Sequence, residues 1–327
     1  MQINQTFNNL PMNLPNDFFA ITSYFNFFHN RERLHNFHTF RKNLTLPLIA
    51  VEWAPDGKFE LNKKDAEYLI QIKEGDFMWQ KECLLNIALE YLPLSCNYVS
   101  WLDCDIVFAN PNWHNEARVA FKSFDFIQLF EKIKYVPKTK ILVSTLSELN
   151  TVKYSLEKCS ISKAIKSGEN FFGNLSNTNE KFDFQPTGNP GMAFASKVSI
   201  IKKHKFYDKN IIGGGDLVLS AAIHNKIDEL FMHRALSSHH KTDIKNWAAK
   251  LIHNKYKCSF LKEEIFHLWH GELEKRMYEK RYHILNNHNY NPKVHVALNS
   301  NKTWSWSSTP ANLKEDIYKY MQNRESS

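Results

Sequence analysis

The chain has 327 residues, of which 43% are hydrophobic, 14% aromatic and 23% charged. This supplies enough apolar side chain for a large core, and it excludes an intrinsically disordered protein, because disorder requires fewer aromatic residues and a stronger charge imbalance. The net charge of +8 favours anionic partners, while the lack of any apolar stretch of about 18 residues argues against a membrane-spanning helix.

The five cysteines, at positions 83, 96, 104, 159 and 258, include no C-x-x-C pair. We therefore expect reduced thiols and a cytoplasmic protein, with neither a disulfide framework nor a thiolate zinc site. No run of five basic residues and no zinc-finger or RNP-type motif occurs, so nucleic acid is not a predicted partner.

The elements of the first 130 residues alternate between strand and helix. Residues 1–16 lack the basic and then apolar pattern of a secretory signal and are predicted to be a flexible leader. The residue patterns then predict strand, helix, strand, helix, strand and strand over residues 17–25, 31–44, 44–53, 76–92, 98–108 and 124–130. Asp76 is the predicted N-cap of the second helix. This alternation is typical of an α/β protein with a parallel sheet.

The remaining residues carry separate motifs. Residues 131–185 are polar and mixed and are predicted to hold a mobile loop. The segments TGNPGMAFA, NIIGGGDLVLSAAIH and IFHLWHG follow, and a charged helix is predicted from about Glu272 to Leu285. No linker rich in glycine or proline divides the chain, so we predict one domain over residues 17–290 and a tail over residues 291–327 that packs on it.

Asp103 and Asp105 interrupt the apolar run SWLDCDIVF near the end of the third predicted strand. On a strand, residues two apart point to the same face, so the two carboxylates are expected to converge. Two such charges repel each other and are costly to bury unless a cation lies beside them. Oxygen ligands suit Mg²⁺ or Mn²⁺, which would in turn hold a diphosphate. The alternative is a solvated strand end whose carboxylates cap the next turn.

The sequence IIGGGDLVLSAA predicts a glycine turn that leads into a helix near Asp216. Glycine permits positive φ and a close approach of the backbone to a ligand. Asp216 is alternatively only an N-cap, worth about 1 kcal/mol, although a cap alone does not need three glycines. The pattern is neither a P-loop nor a dinucleotide-binding turn.

The segment HLWHG supplies His267 and His270. It lacks the glutamate of an H-E-x-x-H protease motif. One of these imidazoles could complete an oxygen-rich shell for Mn²⁺. On the pattern alone, a packed core histidine is the simpler interpretation.

Two further features favour structural roles. Arg276, Lys280 and Arg281 lie among acidic residues in ELEKRMYEKRYHIL, which predicts a solvated helix face, with an anion contact from Arg276 or Arg281 as the alternative. Trp304 and Trp306 are expected to anchor the tail, although two such rings could also stack on a sugar.

Taken in order, the segments TSYFN, VEW, WQKECLLNIAL, WLDCDIVF, GNPGMAFA, GGGD and HLWHG resemble metal-dependent, D-x-D-containing glycosyltransferases of the GT-A fold, and more closely a bacterial GT-A-like group. The likeness covers roughly residues 17 to 290. It implies a Rossmann-like α/β fold with a mixed, mainly parallel sheet flanked by helices and a helical or irregular C-terminal portion. Residues 17–130 would form the half that binds a nucleotide sugar, and residues 185–290 the acceptor and catalytic half.

The resemblance also implies roles for individual residues. Asp105 would ligate the metal, with His267 or His270 as a late ligand, and Asp103 would face the metal or the ribose. Asp216 resembles the acid after a glycine turn that serves as catalytic base in inverting members. The residues implied to contact the donor are Thr22, Ser23, Tyr24, Glu52, Lys81, Asn86 and Asp103.

The implied activity is transfer of a hexose-type monosaccharide from a nucleotide-diphosphate sugar to an acceptor hydroxyl of a glycan or glycolipid, as in polysaccharide biosynthesis, with Mn²⁺ or Mg²⁺ as cofactor. The net positive charge of the chain suits the binding of a nucleotide and also peripheral contact with the inner face of an anionic membrane. Two alternatives stand beside it. A Mg²⁺-dependent sugar nucleotidyltransferase would want a third carboxylate and an early phosphate loop, and a non-catalytic carbohydrate-binding protein would need no metal.

Overall fold

The computed structural model describes residues 4–7, 17–138, 142–173, 185–272, 274–278 and 280–325. Within them the chain forms two mixed sheets and a two-stranded hairpin. The strands are β1 (Asn4–Phe7), β2 (Phe18–Tyr24), β3 (Leu48–Trp53), β4 (Tyr68–Ile72), β5 (Tyr98–Leu102), β6 (Ile106–Phe108), β7 (Phe126–Gln128), β8 (Lys132–Tyr135), β9 (Leu156–Cys159), β10 (Ala193–Lys197), β11 (Cys258–Phe260), β12 (Glu264–His267), β13 (Val296–Leu298) and β14 (Trp304–Trp306).

The helices of the described residues follow the same chain order. They are α1 (Arg31–Asn43), α2 (Lys81–Glu90), α3 (Trp113–Ala120), α4 (Leu146–Thr151), α5 (Ile161–Lys166), α6 (Val198–His204), α7 (Gly215–Ile223), α8 (Ile227–His233), α9 (Ser238–His253), α10 (Arg281–Asn287) and α11 (Ala311–Glu325), with a 3₁₀ helix over Glu274–Arg276.

The larger sheet confirms the predicted α/β class. Its strand order is β1-β4-β3-β2-β5-β10-β7-β11, and β4, β3, β2 and β5 run parallel to one another. Strand β10 is antiparallel to both of its neighbours, whereas β11 is parallel to β7. The sheet is therefore mixed and mainly parallel.

Both faces of the central strands are buried, which explains their nearly continuous apolar sequences. Phe19 and Ile21 of β2 belong to the same apolar cluster as Leu84 of α2. Phe18 points to the opposite face and belongs to the cluster that contains Phe37 of α1. Helices α1 and α2 thus cover opposite faces, and a ligand is expected beyond the carboxyl ends of the parallel strands.

The predicted strand over residues 98–108 is wrong in a way that matters for the site. Strands β5 and β6 belong to different sheets, and the second sheet has the order β6-β12-β8-β9. The Asp103 N–H donates to the Met192 carbonyl, and the Leu268 N–H donates to the Asp105 carbonyl, each at 2.8 Å. The two aspartates therefore lie where the chain crosses between sheets, so they do not share the face of one strand.

Helix α2 begins later than predicted. Its first residue is Lys81, and Gln80 occupies the N-cap position without a side-chain cap bond. The Asp76 carboxylate, predicted to be the cap, instead accepts a hydrogen bond of 2.7 Å from the Trp306 N–H in the tail. The later start puts Lys81 in the first turn of the helix, where it reaches Asp103 beyond the end of β5.

Three other predicted segments differ from the structure or lie outside its described part. Residues 4–7 of the predicted leader form β1, which covers the otherwise unpaired edge of β4, while residues 1–3 and 8–16 are not described. The stretch predicted to hold a mobile loop contains β8, α4, β9 and α5, and its residues 139–141 and 174–184 are not described. The helix predicted from Glu272 is a 3₁₀ turn followed by α10, because Arg276 and Arg281 turn into the interior.

The C-terminal tail packs on the domain through an apolar cluster. Leu313, Ile317 and Met321 of α11 are fully buried in one cluster with Met78 and Ile211. Among the described residues, no helix combines the length and the apolar character needed to cross a membrane.

Gly214 provides a test of how α10 packs against the glycine turn. It has a φ of +98°, and a Cβ on it would lie 2.0 Å from the hydroxyl oxygen of Tyr282 in α10. Gly214→Ala is therefore expected to lower the free energy of unfolding by about 3 kcal/mol, through left-handed strain and overpacking. Gly57→Ala is the control, because Gly57 has a φ of +75° but no atom within 4 Å of the added Cβ, and it should cost about 1 kcal/mol. Urea denaturation measures both variants, and equal losses would contradict the packing of Tyr282 against the turn.

Candidate functional site

A cleft opens beyond the carboxyl ends of β2 and β5, where ligands bind in sheets of this kind. Its walls also come from the loop before β10, the start of α7, the end of β12 and the tail. The cleft holds about 1410 Å³ of empty space, with the open mouth included. It brings together Asp103, Asp105, Asp216, His267 and His270.

Asp105, His267 and His270 form a cluster with the spacing of metal ligands. One nitrogen or carboxylate oxygen from each residue lies within 4.8 Å of the other two. His270 Nε2 is 2.8 Å from Asp105 Oδ2, and His267 Nε2 is 3.9 Å from Asp105 Oδ1. His267 ends β12 and His270 lies in the loop that follows, so both members of the H-x-x-H pair reach the crossover that carries Asp105.

The chemistry of this cluster fits a divalent metal ion. Asp105 Oδ1 is buried without a hydrogen-bond partner, and such an atom is costly unless a ligand completes it. Burial, together with the nearby Arg276 charge, lowers the pKa of His267 to about 4 and the pKa of His270 well below its usual value. Both rings are therefore neutral at pH 7, as ligation requires. Burial would raise the pKa of Asp105, but the imidazoles and Arg276 outweigh it and lower the pKa.

Asp103 lies outside this cluster, although it was predicted to ligate the metal. Its Oδ1 atom is 2.5 Å from Lys81 Nζ, and the same ammonium is 2.7 Å from Asp216 Oδ2. Burial alone would lower the pKa of Lys81, but the two carboxylates outweigh it and raise the pKa well above its usual value. The physical reason is the crossover, which turns Asp103 and Asp105 towards different partners. Protonated Lys81 thus ties the end of β5 to the start of α7.

Asp216 lies in the first turn of α7, as predicted, and lines the cleft. It is not the N-cap, since Gly214 holds that position. A Cβ on Gly191, in the GNPG segment, would lie 2.9 Å from Asp216 Oδ2. The carboxylate is therefore held between the Lys81 ammonium and a backbone segment that has room for it only because residue 191 is glycine.

Glu82 lies behind this pair and was not predicted to belong to the site. Its side chain is buried, and its Oε1 atom has no hydrogen-bond partner. A Cβ on Gly215 would lie 2.3 Å from that atom, so the last glycine of the turn makes room for Glu82. Burial, and then repulsion from Asp216, raise the pKa of Glu82 to about 8. Glu82 is therefore mainly protonated at neutral pH, which avoids a second negative charge beside Asp216.

Glu82→Gln tests this protonation state. The folded-state pKa of about 8 lies above the unfolded value of 4.5, so the native fold binds more protons than the unfolded chain between these values, and its stability falls as pH rises. The glutamine variant lacks this titration. Its free energy of unfolding relative to the native protein should therefore increase from about pH 5 to about pH 8.5. Urea denaturation at the two pH values measures the change, and a difference that is independent of pH would contradict the raised pKa.

The residues implied to contact the donor lie in different settings. Ser23 and Tyr24 line the cleft. Thr22 does not, because it is fully buried and its Oγ1 donates to the last carbonyl of β5 at 2.7 Å. Asn86 is also turned away from the cleft, further along α2, where its amide donates to Asp208 at 3.0 Å.

Glu52 lies in a second pocket that adjoins the cleft at Tyr24. Its carboxylate is buried and accepts hydrogen bonds from the N–H groups of Glu60 (2.6 Å) and Leu61 (3.2 Å) and from the Gln71 amide (2.8 Å). Burial raises the pKa of Glu52. Glu52 therefore holds the loop that borders this pocket. Besides Tyr24, the Phe, Trp and Tyr residues of the pocket wall are Phe27, Phe28, Trp53, Phe77 and Tyr318.

A group of arginines lines the cleft, and two of them, Arg276 and Arg281, come from a segment that was predicted to form a solvated helix face, with an anion contact as the alternative. Arg276 and Arg281 are only 4% and 5% exposed, and Arg324 reaches the cleft from α11. Arg276 does not face solvent and donates to the Tyr278 hydroxyl at 2.9 Å. The sequence feature that could have indicated their burial is the alternation of arginine with tyrosine over residues 276–282. Two further arginines of the cleft are Arg33 and Arg234.

No family model and no curated protein sequence matches the chain. Solved structures do match it at low identity. S. aureus TarS (1–349) shares 12% identity over 94% of this chain and 71% of that chain, with a TM-score of 0.39. The catalytic domain of Drosophila β1,4-galactosyltransferase 7, in complex with xylobiose, shares 11% identity over 92% of this chain and 98% of that chain, with a TM-score of 0.36.

A third match is the 4-diphosphocytidyl-2C-methyl-D-erythritol synthase of Anaerococcus prevotii, with 11% identity over 76% of this chain and 87% of that chain and a TM-score of 0.33. The TM-scores are low for all three proteins. The function below is therefore argued from the geometry of the cleft.

Proposed function

We propose that the protein is a metal-dependent glycosyltransferase, which moves a monosaccharide from a nucleotide-diphosphate sugar to an acceptor hydroxyl of a glycan or glycolipid. The observation that supports this most is that one cleft contains both a cluster of metal-ligand type and a separately held carboxylate, Asp216. A transfer of this kind needs a cation for the leaving diphosphate and a base for the incoming hydroxyl.

Asp105, His267 and His270 would hold Mn²⁺ or Mg²⁺. When bound, the metal supplies Lewis-acid stabilisation of the negative charge on the leaving diphosphate. The protein contributes a buried carboxylate oxygen without a hydrogen-bond partner and two imidazoles kept neutral by burial. One carboxylate with two imidazoles favours Mn²⁺, since Mg²⁺ prefers oxygen ligands alone.

Asp216 is the proposed general base. It would take the proton of the acceptor hydroxyl while that oxygen bonds to the anomeric carbon and the bond from this carbon to the diphosphate breaks. Lys81 donates to Asp216 Oδ2 at 2.7 Å and so fixes the carboxylate, which leaves Oδ1 for the acceptor. A single displacement assisted by one base predicts inversion at the anomeric carbon.

The donor nucleotide is assigned to the side of the cleft formed by Ser23, Tyr24 and Asp103. Asp103 is held by Lys81 rather than by the metal cluster, so it is available to a ribose hydroxyl. The second pocket begins at Tyr24 and has aromatic walls, which suit the planar base. Glu52 would act there indirectly, by fixing the loop that begins at Glu60.

The test is a thermal-shift panel of nucleotide sugars with and without Mn²⁺, followed by product analysis with each donor that binds. The proposal predicts a donor that raises the melting temperature more with Mn²⁺ than without it, and a product of inverted anomeric configuration by NMR. A sugar nucleotidyltransferase would instead consume a nucleoside triphosphate and a sugar 1-phosphate and release pyrophosphate. A carbohydrate-binding protein would respond to a glycan without metal and to no nucleotide sugar in the panel. Either of these results would contradict the proposal.

A further inference from the structure

The C-terminal segment adds three guanidinium groups to the cleft beside the metal cluster. Arg276 ends the 3₁₀ helix, Arg281 begins α10, and Arg324 lies near the end of α11. Arg276 and Arg281 are almost wholly buried. Burying cations side by side is costly unless negative charge compensates them.

The closest described polar contacts of the two buried arginines are with uncharged side chains. Arg276 donates to the Tyr278 hydroxyl at 2.9 Å, and its Nη2 atom lies 2.9 Å from His270 Nε2. The Arg281 Nε atom is buried without a hydrogen-bond partner, and its guanidinium lies 5.3 Å from the centre of the Tyr278 ring. Among the residues that the structure describes, neither arginine forms a hydrogen bond with a carboxylate, although Asp105 lies near enough to interact electrostatically with Arg276. A ligand with several negative charges would compensate both buried guanidinium groups.

The guanidinium group of Arg281 packs against the glycine turn before Asp216. A Cβ on Gly213 would lie 3.2 Å from Arg281 Nη1, and a Cβ on Gly214 would lie 2.9 Å from Arg281 Nη2. The guanidinium therefore lies against a backbone that has no side chains. Because Arg276 contacts His270, the arginines extend along the cleft from the metal cluster to the start of α7.

We propose that Arg276, Arg281 and Arg324 form a cradle for the phosphate oxygens of a diphosphate and that this cradle binds its ligand without a metal ion. Forked guanidinium N–H groups match the spacing of phosphate oxygens. A ligand with a single carboxylate would compensate only one of the three positive charges, whereas a diphosphate carries several negative charges. That this diphosphate belongs to a nucleotide sugar, or to the nucleoside diphosphate left after transfer, rests on the proposed function. The anion site itself does not.

The test is calorimetric titration of the native protein with inorganic pyrophosphate in EDTA. We expect binding, and we expect Arg281→Met and Arg324→Met each to weaken it by about 10-fold or more, as loss of a charged hydrogen-bond donor does. Arg31→Met is the control, because it removes the same charge from an exposed position outside the cleft. It should leave the affinity for pyrophosphate unchanged.

The native protein alone can overturn the proposal, since failure to bind pyrophosphate in EDTA contradicts it whatever the variants do. Unchanged affinity in a folded Arg281→Met protein also contradicts it. If Arg281→Met does not fold, Arg324→Met decides, because Arg324 is less buried. If the native protein binds pyrophosphate and the arginine variants do not, the cradle is supported. The absence of turnover with every nucleotide sugar would then contradict only the proposed glycosyltransferase activity. Conversely, if the protein transferred a sugar but did not bind pyrophosphate in EDTA, only the cradle would be contradicted.

Discussion

We expect Asp216→Asn to bind the nucleotide sugar about as well as the native protein and to turn it over about 1000-fold more slowly. The asparagine oxygen can still accept the hydrogen bond from Lys81 that Asp216 accepts now. The amide cannot take a proton from the acceptor hydroxyl, so only the chemical step is lost. Initial rates with a labelled donor measure turnover, and calorimetry measures donor affinity.

Asp243→Asn is the matched control for this result. Asp243 is likewise held by a lysine, with Lys209 Nζ at 3.0 Å, but it is buried outside the cleft. Its substitution should reduce stability without a specific effect on turnover. If Asp216→Asn kept turnover within about 10-fold of the native rate, another group would have to be the base.

Asp105→Asn is expected to abolish the part of donor binding that depends on Mn²⁺, which we put at about 100-fold in affinity. The asparagine side chain is neutral, and the variant loses the only carboxylate of the metal cluster in the described residues. Donor titrations in Mn²⁺ and in EDTA measure this part as a difference. The native protein should show a large difference, and the variant almost none.

Asp103→Asn tests whether both aspartates of the D-x-D pattern ligate the metal or only Asp105 does. If both aspartates ligated the metal, the two variants would lose Mn²⁺-dependent binding alike. Because Asp103 is paired with Lys81 and lies outside the cluster, its variant should keep most of that dependence. Equal losses in the two variants would restore Asp103 to the metal site.

Much of the fold could be predicted from local patterns. Strands β2 and β3 are continuous apolar runs because the sheet is covered on both faces, and α1 and α2 show apolar residues at helical spacing. The order of these elements was enough to indicate a mainly parallel sheet. The same order placed Asp105 near the end of the third strand, and the glycine pattern placed Asp216 at the start of a helix. The structure brings both residues into one cleft.

What could not be predicted depends on long-range pairing. The run around Asp103 reads as a single strand, and only its pairing with β10 on one side and β12 on the other shows that it divides between two sheets. Residues 4–7 have no strand signal of their own and pair because β4 offers an open edge. Charge alternation around Arg276 is typical of a solvated helix, and the burial of that side chain follows from α11 packing over it.

The histidine pair shows how a weak pattern gains meaning from its place in the fold. H-x-x-H is uninformative by itself, and a packed core was the simpler expectation for both rings. The pairing of β12 with β6 brings His267 alongside Ile106, the residue after Asp105. His270 is then only three residues further along a loop, and its Nε2 atom reaches the same carboxylate.

The most direct measurement is the position of Mn²⁺ in crystals of the native protein soaked in the ion, read from the anomalous difference map. A peak bonded to Asp105, His267 and His270, and missing from Asp105→Asn crystals treated in the same way, is the result that this account predicts. A saturating soak that leaves these three side chains without a peak, or that places the ion elsewhere in the cleft, would contradict it.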